Sequence, residues 1–359
     1  MTTDMKILDR YIANSVMTSY GLVLALFVTI FSFFIFVEEL DHVGTGRYTL
    51  FHAITHVFLT IPGRIIDLAP ITALLGSIIG LGTLANHREL IAMQTVGIST
   101  LRIAWSVLRV GILFMLTVVV FEEYIHPPLA RYAHNQRTLA LAESQTLVSE
   151  HGFWFHEASR FIKVGGLRYG KLPEDIDVYQ FDEQGELQVF TTARTAEIVN
   201  HKQWILKDVD QKTIDHRGVT SQHLDELIWD SFLSAQQVGI FSTPPEMFSL
   251  TQLYAYLEYL RETGANSNRL ELVFWQKVAM PFTAGAMVLL AIPFVFGPLR
   301  SSTAGKRILI GAGIAIAFYF LNQILGHAGL LFGLNPLLIT FGPICILVGL
   351  AFWLWRQHL

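Results

Sequence analysis

Residues 73–99 read ALLGSIIGLGTLANHRELIAMQTVGIS: an uncharged apolar run, an adjacent base and acid at Arg88 and Glu89, and a short patterned stretch before the next apolar run opens near 103. A helix needs about 20 mostly apolar residues to cross the hydrocarbon of a bilayer. The first part of the stretch, extended back to residue 65, meets that length. In the second part Leu90, Met93 and Gly97 recur at spacings of three and four, which is the period of a short amphipathic helix lying at the membrane surface.

The rest of the chain repeats the pattern. Runs of about 18 or more residues with little charge fall at 15–37, 65–86, 103–121, 278–296, 308–327 and 337–355. Three lie before residue 125 and three after residue 270. Of the 359 residues, 52% are hydrophobic and 15% charged, and the mean hydropathy is +0.45, which excludes an ordinary soluble domain. A formal charge of -4 without a long basic run argues against a nucleic-acid partner. One cysteine, Cys345, cannot form an intrachain disulfide. The first span carries no small-residue cleavage pattern and reads as a retained anchor. Basic residues in the short loops set the orientation: Lys6, Arg10, Arg88, Arg102, Arg300, Lys306, Arg307 and Arg356 fall on one side, against Arg47 and Arg64 on the other. Both termini, and the 73–99 corner, are therefore expected to be cytoplasmic.

Between the two sets of spans the texture changes. Residues 125–270 hold 13 Lys and Arg against 19 Asp and Glu, a net of -6, with aromatic and β-branched residues alternating against polar ones. GFWFHE, RFIKV, IDVYQF, ELQVF, ARTAEIV, QWILKDV and LIWDSFL read as strands separated by the turns DEQG, NHKQ and DHRG, a pattern expected of an antiparallel sandwich or jelly roll. SLTQLYAYLEYLRETG then reads as a helix leading back to the membrane, with Ser249 or Thr251 as its cap. The expected fold is an α+β membrane protein: a membrane half at 1–124, an inserted β domain at 125–270, and a second membrane half at 271–359.

Motifs for chemistry are sparse. GPLRSSTAGKR has the wrong glycine spacing for a phosphate loop, and Arg307 stands where the hydroxyl should follow Lys306. No G-x-S-x-G, H-E-x-x-H or C-x-x-C occurs. His52 and His56 are four apart without an evident third ligand, so they read as packing residues on an interfacial helix. No catalytic residue and no metal ligand is assigned. Glu38, Glu39, Asp41, Arg64, Asp67, Glu122 and Glu123 cluster at the outer ends of the spans, where they mark the water boundary or rim a cavity. Arg109 is expected to snorkel toward cytoplasmic phosphates, and Gly76 and Gly80 form a G-x-x-x-G pattern that permits close helix contact.

LDRYI near the N-terminus, the 73–99 stretch, FGPLRS after the fourth span and FYFLNQILG in the fifth closely resemble the LptF/LptG permease family of the lipopolysaccharide exporter. The resemblance covers essentially the whole chain. It implies that RELIAMQ, within a coupling helix at about 86–98, seats in a groove of the cytoplasmic ATPase LptB, with Arg88, Glu89, Leu90 and Met93 as coupling residues. It implies a heterodimer with LptF, two LptB subunits that bind ATP, the membrane-anchored LptC, a periplasmic jelly roll, and lipopolysaccharide as cargo in a bacterial inner membrane; no cofactor is expected in this chain. An LptF-type subunit and a non-transporting scaffold are the alternatives. Where some members carry basic residues toward substrate phosphates, this chain has Ile35, Asp41, His42 and Gly63, leaving Arg47 and Arg64 as substitutes. Stripping a lipid of several acyl chains into water costs about 0.8 kcal/mol per methylene, so the lipid is expected to stay in an apolar cavity. Phe34, Phe36, Phe318 and Tyr319 are its expected walls.

Overall fold

The computed structural model describes residues 2–141, 153–157, 160–168, 172–182, 186–200, 203–215, 218–230, 244–262, 267–296 and 303–358. Six helices among them are long and apolar enough to cross a membrane: Ile7–Leu40, Ala69–Asn86, Thr100–Leu141, Asn268–Phe296, Ala304–Phe332 and Pro336–Gln357. They coincide with the six expected runs. In chain order, α1 is Thr2–Leu40, α2 Leu50–Asp67, α3 Ala69–Asn86, α4 Glu89–Thr95 and α5 Thr100–Val120. A π-helical turn at Phe121–Ile125 leads straight into α6, His126–Leu141. After the strands come α7, Leu250–Glu262; α8, Asn268–Phe296; α9, Ala304–Phe332; and α10, Pro336–His358.

The second apolar run, 65–86, is divided between two helices. Pro62 lies inside α2, and α3 begins at Ala69–Pro70 directly after Leu68, so two helices follow one another with only a break between them. Proline at the start of a helix costs nothing, because its missing N–H has no intrahelical partner there. Thr49 caps α2 reciprocally with His52, whose Nδ1 accepts from the Thr49 amide at 3.2 Å.

The membrane core forms where α3 and α8 lie against each other, with α1, α5, α9 and α10 around them. Lipid tails are as apolar as leucine, so helix association there rests on close packing and interhelical hydrogen bonds. Gly76 and Gly80 supply both against α1. A Cβ at Gly80 would stand 2.8 Å from the Val16 Cα, and one at Gly76 would collide with Tyr20. The absent side chains let Ser15 Oγ donate to the Gly80 carbonyl at 3.2 Å and bring Tyr20 Oη within 2.8 Å of Ser77 Oγ. The G-x-x-x-G pattern is thus used inside the chain.

The inserted domain is antiparallel as expected, but ELQVF and ARTAEIV run on as one strand, so the described residues form six strands where seven were expected: β1 Phe153–Glu157, β2 Arg160–Arg168, β3 Leu172–Phe181, β4 Leu187–Asn200, β5 Gln203–Asp215 and β6 Gly218–Asp230. Each pairs with the next, giving one six-stranded sheet in sequence order. Ile162, Val164, Ile176, Val178, Trp204 and Leu206 share its buried face. Along β5 the inward residues change from even numbers, Trp204 and Leu206, to odd, Val209. The change occurs at Asp208, whose φ of 56 is a left-handed kink that aspartate tolerates better than most residues.

Forcing a large side chain into a packed contact costs about 1–3 kcal/mol. Gly80→Leu is therefore expected to lower the thermal stability of the purified chain by that order, whereas Gly21→Ala, on α1 with nothing within 4 Å, leaves it unchanged or slightly raised. Equal melting temperatures for the Gly80 variant and the parent would show that α1 does not seat on α3 as described.

Candidate functional site

The corner at 87–99 is built by three local devices. Arg88 takes a left-handed conformation, φ 61, which breaks α3 from α4 at a cost of about 1–2 kcal/mol for a residue with a Cβ. Gly97, at φ 90, ends α4: its amide donates to the Gln94 carbonyl at 3.0 Å, and the Ile98 amide to Met93 at 3.0 Å. This double bond is the usual glycine stop of a helix. Ser99 then caps α5 by accepting from the Arg102 amide at 3.4 Å.

The resulting helix is amphipathic in the opposite sense to the one expected. Leu90, 4% exposed, and Met93 join the chain's own membrane core, so they anchor α4 and are not available to an outside groove. That corrects their assignment as partner-contacting residues. The outward face consists of Arg88, Ile91, Ala92, Thr95 and Val96, the last 82% exposed. Glu89 sits between the two faces, its side chain 31% exposed.

Polar contacts, of which only those of Arg307 are deeply buried, fix the surroundings of this corner. Asp9 on α1 accepts from Ser106 Oγ at 2.8 Å and pairs with Arg102 at 3.5 Å and Arg109 at 3.4 Å, all on α5. Arg109 therefore answers a carboxylate in its own chain, where snorkelling was expected. Tyr11, two residues further along α1, donates from Oη to Glu89 Oε1 at 3.2 Å. Arg307, at the start of α9, is buried and donates to the Gly82 carbonyl at 2.9 Å and to Asn86 Oδ1 at 3.1 Å. The guanidinium thus ties the start of α9 to the last turns of α3 through one backbone carbonyl and one side-chain amide.

The opposite ends of the spans hold a second set. Buried Glu39 accepts from Tyr48 Oη at 2.6 Å and from Arg137 Nε at 3.0 Å, with His56 Nε2 3.8 Å away, so α1, α2, α6 and the intervening loop meet at one carboxylate. Burial, and then the Glu39 carboxylate, raise the Tyr48 phenol above its ordinary value and keep its proton in place. His52 and His56 turn to different partners, Thr49 and Glu39. In the π turn, Glu122 pairs with Lys277 of α8 at 3.3 Å, with 8% and 11% of the side chains exposed. Its neighbour Glu123 accepts from the Leu250 amide at 2.9 Å and from Thr251 Oγ1 at 2.5 Å, while Gln252 and Ser249 cap α7 reciprocally. Such turns widen a helix locally and recur at functional sites. Here one joins α8 to the helix returning from the sheet.

The expected cavity walls separate. Phe34, 64% exposed, and Tyr319 stand on open faces of α1 and α9. Phe318, 7% exposed, packs into the membrane core, and Phe36, partly buried, lies against Tyr48, Ala53 and Ala140. Arg47 is exposed in the α1–α2 loop, and its amide donates to the Ala140 carbonyl at 2.9 Å. Arg64 is half-buried near the break between α2 and α3, with its Nε shielded from solvent. Tyr11, Arg137 and Lys277 were not singled out from sequence, and their partners lie 78, 98 and 155 residues away; nor were Ile91, Ala92, Thr95 and Val96 of the outward face of α4.

Comparison with known proteins adds to this geometry. A family model described as lipopolysaccharide export system permease LptF/LptG matches residues 10–357. The lipopolysaccharide export system permease protein LptG of Haemophilus influenzae is 33% identical over 349 residues, covering 97% of each chain. That of Escherichia coli K12 is 29% identical over 350 residues, again 97% of each.

Removing one member of a buried ion pair typically costs about 3–5 kcal/mol, because the other charge is left without a partner, whereas replacing both is often close to neutral. Lys277→Met is accordingly expected to destabilise the purified chain by that order, and adding Glu122→Gln to recover most of the loss in the same thermal-unfolding measurement. Equal stability of the single and double variants would mean that the pair does not hold the π turn to α8.

Proposed function

We propose that this chain, which belongs to the lipopolysaccharide export system permease LptF/LptG family, is the LptG-type subunit of an exporter that lifts lipopolysaccharide out of the inner membrane. The match of residues 10–357 carries the reading, and the two relatives named as LptG favour that type over LptF. In this account the chain pairs with LptF, binds LptB on the cytoplasmic side through α4, lies beside LptC, and holds its sheet in the periplasm with both termini in the cytoplasm. ATP is bound by the partner ATPase and not by this chain.

The geometry supports a division of labour within α4. Its inward residues Leu90 and Met93 are continuous with the packed core, so a displacement applied to Arg88, Ile91, Thr95 or Val96 moves the ends of α3 and α5 with it. Dense cores transmit strain because they have few voids to absorb it. At the other end, the open apolar faces of α1 and α9, with Phe34 and Tyr319, suit acyl chains held between this subunit and a second permease. Arg47 and Arg64 are the cations we assign to the anionic head group.

Losing one partner of a partly desolvated charge pair costs about 2–5 kcal/mol, against roughly 0–1 kcal/mol for an exposed charge. Glu89→Lys is therefore expected to weaken LptB association by tenfold or more or to uncouple hydrolysis from export in reconstituted vesicles, with Glu89→Gln milder. Glu258→Lys, on the exposed face of α7, serves as a control and should do neither. Parental assembly and parental export per ATP in the Glu89→Lys variant would reduce α4 to a turn between spans.

A further inference from the structure

We propose that Tyr11 is a positioning residue for the coupling step: its hydroxyl presets the Glu89 carboxylate for the partner's basic side chain and carries the resulting load into α1. This inference rests on the reading of α4 as the ATPase contact. Three observations carry it. The two residues are 78 apart in sequence, yet Tyr11 Oη donates to Glu89 Oε1 at 3.2 Å. Glu89 Oε2 is shielded from solvent and accepts no hydrogen bond among the described residues. The only basic side chain within 4 Å of the carboxylate, among the described residues, is His87, whose Nδ1 lies 3.7 Å from Oε1.

A carboxylate that has lost water on one oxygen without gaining a donor is poorly solvated as it stands. It is stabilised by a cation brought against the exposed part of the side chain. The phenol on Oε1 restricts rotation of the carboxylate, so the partner's donor meets it in one preset orientation at lower entropic cost. Glu89 is then bonded on one side to the incoming cation and on the other to α1. Two residues before Tyr11, Asp9 ties α1 to Ser106, Arg102 and Arg109 of α5. Downstream, Val16 and Tyr20 seat α1 on α3. A pull on Glu89 thus reaches three spans through Tyr11, not only through the backbone of α4.

The test uses the assembled complex in proteoliposomes, measuring ATP hydrolysed, lipopolysaccharide released and LptB retained for the parent, Tyr11→Phe, Glu89→Ala and the double variant. Tyr11→Phe keeps the ring and removes one donor. It is expected to leave LptB retained and hydrolysis near parental but to lower release per ATP by roughly threefold to tenfold, the scale of one partly exposed hydrogen bond. The double variant should be no worse than Glu89→Ala alone, as residues acting through one contact require. Parental release by Tyr11→Phe overturns the proposal. So do effects of the two substitutions that multiply, and so does a Tyr11→Phe chain that fails to assemble where Glu89→Ala assembles. If Glu89→Ala and Glu89→Lys are themselves parental, the reading of α4 as the ATPase contact is what fails, and the role of Tyr11 falls with it.

Discussion

A charged group inside a hydrocarbon layer has no water to turn to, so each one must find a counter-charge or a carbonyl on another helix. At the ends of the spans, four meetings of charge with counter-charge or carbonyl position the helices: Asp9 with Arg102 and the more exposed Arg109, Arg307 with the end of α3, Glu39 with Arg137, and Glu122 with Lys277. Two lie at each end of the bundle. Between them the contacts are apolar and close, set by Gly76 and Gly80 against α1 and by the core around α8. The arrangement makes the membrane part stiff at its ends, where movement would have to enter and leave.

That stiffness gives meaning to α4. A seven-residue helix is too short to be stable alone. Its order comes from Leu90 and Met93 in the core and from the glycine stop at Gly97. What remains for a partner is a small outward face beside Glu89. At the far end, the π turn uses two consecutive glutamates to hold α8 and to cap α7, so the helix that returns from the sheet is fixed to the same frame. The helix α7 and the corner at 87–99 are thereby joined through α5 and α8.

Much of this architecture is legible in the sequence. Span length and charge depletion mark all six membrane helices, and alternation marks the strands, because both patterns depend only on neighbours a few residues away. The existence of α4 is legible for the same reason. Its orientation is not: Leu90 and Met93 are apolar whether they face a partner's groove or the chain's own core, and the choice turns on the left-handed Arg88. That Phe318 turns into the core while Phe34 and Tyr319 stand on open faces is likewise not legible, because helix rotation is set by tertiary contacts. The pairings of Tyr11 with Glu89, Arg137 with Glu39 and Lys277 with Glu122 span 78, 98 and 155 residues, beyond the reach of any local pattern. The phase change at Asp208 is not legible either, because a single left-handed residue leaves the alternation on each side of it intact.

The central claim is that α4 offers one face to the ATPase and buries the other in its own chain. A cysteine scan of residues 88–97 in a Cys345→Ala background, crosslinked with a short reagent to LptB in the assembled complex, tests it most directly. Efficient capture at Arg88, Ile91, Ala92, Thr95 and Val96, with Leu90 and Met93 silent, is the result this account requires. Capture centred on Leu90 and Met93, or spread evenly along the segment, would contradict it.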